Sequence, residues 1–433
     1  MASKSHIVIT EYQRIVMAEN LGSSYVTVTK KQFGALEAFV LSNELDNARN
    51  YLKIGQAGRN KYLQAQNYIG VIQLKDGLTI EILPKIARKE GDENHAEVRR
   101  IVINMLSTLR NSPFKQANSA SLNTQRMPLL EVFISMFMDV LELLIRRGIK
   151  NDYITCEESS PFLKGKLLFS EHIKHNLAHK ERIFVAFDNY QSNRIENRIV
   201  KTALQHLYKL SRSSKNQQRI RESLFVFDEM KPIHDVAMAF SKVKSNRQMK
   251  DYEQVLIWSR LFLLGDSFTP HKGSTVAFAL MFDMNQLFES YVGAWLKRTH
   301  KGSVSLQHSR HHLAKKDSKD VFALKPDIVI NNGIIIADTK WKLLDASKTN
   351  DGISQSDIYQ MYAYATKYQE KDSECEKIYL IYPATENLEI INTVYVFERI
   401  RGAEQQDVLV KVKFFDLTKR FSEQDFSLNI NVQ

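Results

Sequence analysis

Two aspartates and one lysine in the C-terminal third of this 433-residue chain have the types and spacing that metal-assisted hydrolysis uses. Asp327 follows a proline, and Asp338 lies two residues before Lys340. Paired carboxylates supply the oxygen ligands that Mg²⁺ prefers, and a bound cation can activate water and stabilise charge on a phosphoryl oxygen. A nearby ammonium can orient that water or neutralise the developing negative charge. Together the three side chains would suit phosphodiester hydrolysis.

A β-hairpin would bring these residues together. Apolar runs flank Asn332-Gly333, a dipeptide typical of type I′ turns because both central residues take positive φ. The register set by a two-residue turn pairs Asp327 with Asp338. Directly opposed residues have Cβ atoms roughly 4.5–5.5 Å apart, so the two carboxylates would repel each other. A bound cation would relieve that repulsion.

The hairpin also places the lysine. Because side chains alternate along a strand, Lys340 lies on the same face as Asp338. The flanking Ile, Val and Ala residues predict strands that are buried on both sides. Alternatively, the two aspartates only cap strand ends and the lysine is solvated. A three-residue turn would shift the register by one and separate the carboxylates.

These residues resemble the PD-(D/E)XK nuclease signature, with Pro326-Asp327 as its first part and Asp338-Thr339-Lys340 as its second. Gln360 and Tyr364 are four residues apart, so they share one face of a predicted helix. They are similar to the Gln-x-x-x-Tyr helix that follows the core hairpin in many such nucleases. Motif for motif, the chain most resembles the McrC family, the nuclease subunits of McrBC modification-dependent restriction systems.

The resemblance implies a Mg²⁺-dependent DNA endonuclease, with Mn²⁺ as a possible alternative metal. Asp327 and Asp338 would bind the metal, Lys340 would assist the water or the charge, and Gln360 would position neighbouring groups. It also implies two partners, a McrB-like AAA+ GTPase hexamer and double-stranded DNA carrying 5-methylcytosine. The N-terminal part would insert into the GTPase ring and stimulate GTP hydrolysis.

A helix before the hairpin carries a further acidic residue. Asp283 can cap this helix, with Gln286 at the capping-box position. The segment 287–292 resembles the first core helix of these nucleases, whose glutamate often completes the metal site. Glu289 is therefore a candidate metal ligand, and the alternative is a surface carboxylate.

A histidine-rich and lysine-rich segment lies between that helix and the hairpin. Its histidines are His308, His311 and His312, and its lysines are Lys315, Lys316 and Lys319. A zinc site is conceivable, but no cysteine or acidic partner stands at ligand spacing. Phosphate contact and a plain surface loop are the alternatives for the histidines, and the lysines could follow a DNA backbone.

Composition indicates a globular protein with an anionic partner. The chain is 43% apolar and 25% charged, with a formal net charge of +11, which suits a nucleic-acid enzyme. Cys156 and Cys375 form neither a zinc spacing nor a disulfide framework, so a reducing cytoplasm is expected. The N-terminus has no apolar signal core. The most apolar segment, 127–149, is too polar to span a membrane.

The chain divides into three predicted parts within an α/β (multi-domain α+β) fold. Residues 1–125 form a β-rich module whose hairpin, 68–86, turns at Asp76-Gly77 and ends in a Glu-Ile-Leu-Pro-Lys sequence similar to one in McrC-type proteins. Residues 126–265 are mainly helical. Residues 266–433 form the PD-(D/E)XK core, a mixed sheet flanked by helices. Polar connectors are predicted at 111–126 and near 269–274.

Several motifs are absent. The sequence has no Gly-x-x-x-x-Gly-Lys-Ser/Thr loop for nucleotide triphosphates, so any motor is a separate subunit. It has no helix-turn-helix or zinc-finger spacing, which assigns base recognition to a partner. Two alternatives remain open: a nuclease-like adaptor that regulates the GTPase without cutting, and a stand-alone nuclease.

Overall fold

The computed structural model describes the following residues: 6–17, 25–41, 51–58, 60–86, 92–109, 113–116, 127–179, 181–243, 249–264, 276–300, 302–369, 375–384, 393–398, 407–424 and 426–428. The predicted connector near 269–274 lies outside the described residues. Of the connector at 111–126, the structure describes only a short 3-10 helix, Pro113–Gln116.

Helices and strands are both abundant, and the mixed α/β fold class is confirmed. The helices are α1 (Lys30–Leu41), α2 (Asp92–Leu106), α3 (Leu129–Arg147), α4 (Phe169–Asn176), α5 (Ile195–Leu210), α6 (Ser214–Val226), α7 (Val236–Ser241), α8 (Lys250–Leu264), α9 (Met284–Thr299) and α10 (Gln355–Tyr368). The strands are β1 (His6–Thr10), β2 (Arg14–Val16), β3 (Tyr25–Thr27), β4 (Leu52–Ala57), β5 (Asn60–Ala65), β6 (Tyr68–Leu74), β7 (Thr79–Leu83), β8 (Asp152–Ser160), β9 (Lys166–Leu167), β10 (Ile183–Gln191), β11 (Val276–Asp283), β12 (Val304–Leu306), β13 (His312–Lys316), β14 (Lys319–Ala323), β15 (Ile328–Ile330), β16 (Ile335–Thr339), β17 (Lys377–Pro383), β18 (Val394–Phe397) and β19 (Val408–Phe415). No helix among these is long and apolar enough to cross a membrane.

Two four-stranded sheets form the N-terminal part, with strand orders β3-β2-β5-β4 and β1-β7-β6-β11. The hairpin β6–β7 forms as predicted, and Gly77 in its turn has a φ of 93°. Strand β11 pairs antiparallel with β6, although it belongs to the segment that the sequence assigned to the C-terminal domain. The sheet β1-β7-β6-β11 therefore contains strands from both sides of the predicted boundary at residue 266.

Gly70 allows that close pairing. Its φ is 140°, and a Cβ atom there would lie 2.0 Å from the carbonyl oxygen of Leu280 in β11. Only a glycine fits so close to a neighbouring backbone. The N-terminal sheet and the start of the C-terminal domain are thus joined directly.

The middle part contains α3 to α8 and a three-stranded sheet of order β8-β10-β9. The sequence predicted a mainly helical region and did not predict this sheet. Strand β8, with the sequence DYITCEESS, has too few apolar residues to show an alternating pattern. Hydrophobic periodicity therefore does not identify β8 as a strand.

A six-stranded mixed sheet forms the C-terminal core, in the order β12-β15-β16-β17-β19-β18. Strands β15 and β16 are antiparallel, whereas β16, β17 and β19 run parallel. Helix α9 packs against β16 on one face, within a core shared with the middle helices and β6. Helix α10 covers the other face with a separate apolar cluster. The sheet is thus buried on both sides at the hairpin.

Candidate active site

The hairpin β15–β16 has the register that the sequence predicted. Ile330 pairs with Ile335, which centres the turn on Asn332 and Gly333. Both central residues have positive φ, 57° and 110°, as a type I′ turn requires. Asn331 also has positive φ, so the strand pairing stops one residue before the turn.

Alternation along the two strands decides where the acidic residues point. Val329 and Ile336 belong to the apolar cluster under α10, whereas Ile328 and the other intervening residues face α9. Asp327 lies two residues before Val329, and Asp338 lies two residues after Ile336. Because successive side chains alternate along β16, the carboxylate of Asp338 lies on the α10 side of the sheet. Asp327 directly precedes β15, and its charge acts on Asp338.

A chain of polar contacts runs from Asp338 into α10. Asp338 is 1% exposed, and its Oδ2 lies 2.5 Å from Nζ of Lys340. Lys340 Nζ donates to Oε1 of Gln360 at 2.8 Å, and Gln360 Nε2 donates to the hydroxyl of Tyr364 at 2.8 Å. The predicted four-residue spacing on the helix therefore builds one connected unit. Ser354 caps α10 and fixes where this helix begins.

Thr339 orients the other carboxylate. Its backbone N–H and its hydroxyl both donate to Oδ2 of Asp327, each at 2.7 Å. Two donors on one oxygen fix the carboxylate group in place. In the sequence, Thr339 stands out only as the variable residue of the motif. Its place between Asp338 and Lys340, where its backbone faces the opposite strand, was the signal that could have predicted its contact with Asp327.

The two acids have raised pKa values. Burial raises the pKa of Asp338 most strongly, the nearby charge of Asp327 raises it further, and Lys340 lowers it, leaving it at about 7. Burial also raises the pKa of Asp327, against the hydrogen bonds from Thr339 and the charge of Lys340. Buried like charges of this kind favour a shared proton or a cation.

Lys340 behaves differently. Burial alone would lower its pKa, but the charge and contact of Asp338, with smaller contributions from Asp327 and Asp357, raise it overall. Lys340 therefore remains an ammonium at neutral pH. It can donate hydrogen bonds and balance negative charge, and it does not serve as a base.

Glu289 lies on α9, and the charge of Asp327 acts on it. The helix begins at Asp283, whose carboxylate accepts from the N–H of Asn285 at 2.7 Å, as the sequence predicted. Gln307 Nε2 donates to Oε1 of Glu289 at 3.0 Å. Burial and then the charge of Asp327 raise the pKa of Glu289 to about 7. Glu289 is thus electrostatically part of the site. However, the described residues contain no group of three or more His, Cys, Asp or Glu side chains arranged to hold a metal.

The two aspartates fit a hard divalent cation. Oδ2 of Asp338 is buried, contacts the Lys340 ammonium, and accepts no hydrogen bond from any other group that the structure describes. Both hydrogen bonds from Thr339 reach Oδ2 of Asp327, so Oδ1 is not held by them. Carboxylate oxygens are the donors that Mg²⁺ and Mn²⁺ prefer.

A second ion pair lies beside the first and was missed by the sequence analysis. Lys342 Nζ contacts both oxygens of Asp357 at 2.7 and 2.9 Å and donates to Ser354 at 3.1 Å. Lys342 is two residues beyond Lys340, and Asp357 lies in the first turn of α10. The sequence signal for this pair was that Lys342, two residues after Lys340, would point to the same side of an extended chain. This pair attaches the start of α10 to the end of the hairpin.

The histidine segment has a structural role next to α10. Nδ1 of His308 lies 2.9 Å from the hydroxyl of Tyr368, and the ring of His311 packs on Tyr368 with centroids 4.3 Å apart. Both contacts attach the histidine segment to Tyr368, the last residue of α10. Beyond them, β13 and β14 form an exposed two-stranded hairpin carrying Lys315, Lys316 and Lys319.

Two solved structures and one family model are similar to this chain. The chain is similar to a chain of the refined half-complex from a tetradecameric assembly of Thermococcus gammatolerans McrB AAA+ hexamers with bound McrC, with a TM-score of 0.66 at 18% identity over 96% of each chain. A chain of the cryo-EM structure of the Thermococcus gammatolerans McrBC complex matches with a TM-score of 0.47 at 20% identity, covering 68% of this chain and 87% of that one. No curated protein matched the chain. The model of the family described as "McrBC 5-methylcytosine restriction system component" matches residues 63–383, well over half of the sequence. The chain therefore belongs to this McrBC family.

Proposed function

We propose that the chain is the metal-dependent endonuclease subunit of a modification-dependent restriction complex. In this proposal it cleaves DNA carrying 5-methylcytosine together with a McrB-like AAA+ GTPase hexamer, whose GTP hydrolysis it stimulates. The observation that carries the proposal is that buried Asp338 contacts Lys340 and lies near enough to Asp327 for the charge of Asp327 to raise its pKa. That arrangement suits hydrolysis of a phosphodiester bond better than it suits structural support. Two buried carboxylates with raised pKa values cost stability unless a ligand balances their charge.

The residues divide the work of hydrolysis. Asp327 and Asp338 would hold the metal, with Thr339 fixing the orientation of Asp327. Mg²⁺ or Mn²⁺, when bound, stabilises negative charge on a phosphoryl group and lowers the pKa of water. Lys340 would donate a hydrogen bond to the attacking water or to a phosphoryl oxygen.

Two side chains of α10 would support the lysine. Gln360 accepts a hydrogen bond from the Lys340 ammonium and so holds it over the site, and Tyr364 anchors Gln360. A group fixed in this way loses little freedom when the substrate binds, which favours the reaction. Gln360 therefore acts on the reaction through Lys340.

The partner proposal rests on fold similarity. The similar Thermococcus chain comes from an assembly described as McrB AAA+ hexamers with bound McrC, and the similarity covers 96% of both chains. The sequence has no P-loop of its own. The net charge of +11 supports a DNA partner.

The test is cleavage of methylated and unmethylated DNA by the full chain with Mg²⁺, with and without the GTPase partner and GTP. We expect cleavage of methylated DNA only when the partner and GTP are present. Asp338→Ala should abolish cleavage and still bind the partner, and Asp345→Ala, which changes an exposed acid outside the site, should cut normally.

Three other outcomes would contradict the proposal. Full cleavage by Asp338→Ala would remove that carboxylate from the mechanism. Stimulation of GTP hydrolysis without any DNA cleavage would identify an adaptor. Robust cleavage by the chain alone would identify a stand-alone nuclease.

A further inference from the structure

Trp341 connects the candidate active site to the N-terminal sheet. It directly follows Lys340, and its indole is 2% exposed. Its Nε1 donates to the carboxylate of Glu11, at 3.1 Å from Oε1 and 3.0 Å from Oε2. Glu11 is 330 positions away in the sequence and follows β1. A residue of the N-terminal part therefore holds the side chain next to the proposed catalytic lysine.

Lys85 binds the backbone of Trp341. Lys85 Nζ donates to the carbonyl oxygen of Trp341 at 2.6 Å and lies 5.4 Å from the centre of its ring. The backbone N–H of Lys85 donates to Oε2 of Glu11 at 2.9 Å. We call Glu11, Lys85 and Trp341 the clasp. Each of its three members contacts both of the others.

The two charged members of the clasp depend on each other. Burial raises the pKa of Glu11, and the charge of Lys85 opposes that rise. Burial lowers the pKa of Lys85, and the charge of Glu11 opposes that fall. A buried charge without its partner is strongly unfavourable, so the clasp persists as a unit.

The clasp completes the support of the strand end that carries Lys340. On one side, the backbone N–H of Lys340 donates to the carbonyl oxygen of Ile381 in β17 at 2.8 Å. On the α9 side, the ring of Phe288 packs against Trp341 with centroids 5.5 Å apart. Trp341 also has two polar groups, its indole N–H and its carbonyl oxygen, that bond to residues of the N-terminal part.

We infer that Glu11 and Lys85 are positioning residues for Lys340, so the N-terminal β module is a structural part of the nuclease centre. This inference rests on the proposed nuclease function. It also assigns a structural role to the Glu-Ile-Leu-Pro-Lys segment at the end of β7, whose lysine is Lys85. A small displacement of Glu11 or Lys85 would move the backbone that follows Lys340, because the contacts are short and the groups are buried.

The test compares four variants of the full chain in the presence of the GTPase partner. Glu11→Ala removes the carboxylate that accepts hydrogen bonds from the Trp341 indole and the Lys85 backbone. Glu11→Gln keeps one oxygen that can accept a hydrogen bond. Trp341→Phe removes the indole donor and keeps an aromatic ring. Trp295→Phe is the matched control, because Trp295 is also buried and donates its indole N–H, to Phe421, away from Lys340.

Two measurements separate positioning from folding. The first is the kcat and KM of DNA cleavage, and we expect kcat to fall about 10–100-fold for Glu11→Ala and Trp341→Phe while KM stays unchanged, as for other residues that orient catalytic groups. Glu11→Gln should recover part of the loss, because it keeps an acceptor oxygen but removes the charge that balances Lys85. The second is hydrogen exchange of the amides of residues 340–342, which should become faster in the two damaging variants and stay slow in Trp295→Phe.

The double variant Glu11→Ala/Trp341→Phe should lose no more activity than the worse single variant, because both changes remove one shared hydrogen bond. Wild-type kcat and exchange in Glu11→Ala, or an equal loss of kcat in Trp295→Phe, would overturn the clasp while leaving the nuclease proposal standing. A wild-type complex that does not cleave methylated DNA would overturn the nuclease proposal itself, and with it the catalytic role of the clasp.

Discussion

Metal affinity should depend on pH because Asp338 must lose a proton before it can bind a cation. Its pKa is raised from an ordinary value of 3.8 to about 7, mainly by burial and by the charge of Asp327. Below that pKa the carboxyl group is protonated, and the metal has to displace the proton. Above it the carboxylate is free to bind, so affinity should rise with pH and level off above about pH 8.

The size of the effect follows from that pKa. With a group of pKa about 7, roughly a tenth of the molecules are ionised at pH 6 and roughly nine tenths at pH 8. The apparent Kd for Mn²⁺ should therefore be about tenfold higher at pH 6 than at pH 8. About one proton should be released for each Mn²⁺ bound at pH 6.

Isothermal titration of Mn²⁺ in buffers of different ionisation enthalpy measures both quantities. Glu289→Gln is the informative control, because burial and Asp327 also raise the pKa of Glu289 to about 7. We expect this variant to keep the tenfold dependence, since Asp338 carries the proton. A Kd that is equal at pH 6 and pH 8, with no proton release, would refute this reasoning. Loss of the pH dependence in Glu289→Gln would mean that Glu289, rather than Asp338, carries the proton.

Four further predictions concern single residues. Lys340→Met should lower kcat on the order of 100-fold in a cleavage assay, because the ammonium that balances charge beside Asp338 is removed; an unchanged kcat would exclude a role for the charge. Gln360→Leu should lower kcat about tenfold, because Lys340 loses its hydrogen-bond acceptor on α10; a loss as large as that of Lys340→Met would make Gln360 more than a support. Gly70→Ala should destabilise the protein by about 3 kcal/mol in denaturant unfolding, because its Cβ would meet Leu280 at 2.0 Å. Gly34→Ala, a helix position with no atom within 4 Å, should instead be stabilising by roughly 1 kcal/mol.

The hairpin was predictable because its information is local. Asn332 and Gly333 specify the turn, and alternation then fixes which residues share a face. The four-residue spacing of Gln360 and Tyr364 predicted their shared helix face, and their contact followed. The mainly helical character of the middle part was likewise predicted, and it includes α3 and α5.

The missing parts depend on long-range contacts. The pairing of β11 with β6 joins segments about 200 residues apart and leaves no periodic trace in either. The contact between Glu11 and Trp341 is of the same kind, since neither residue is unusual within its own segment. The sheet of β8, β9 and β10 was missed because β8 is largely polar, β9 has only two residues, and β10 has a short apolar run without alternation. Sequence patterns therefore predicted the hairpin and the start of its neighbouring helix better than the long-range contacts around them.

The most direct test of the central claim is the anomalous scattering of Mn²⁺ in crystals of the wild-type chain at pH 8. The account predicts one strong peak within coordination distance of both Asp327 and Asp338, and no such peak in Asp338→Asn crystals. A wild-type map without a peak between these two carboxylates, or with the ion bound elsewhere, would contradict it.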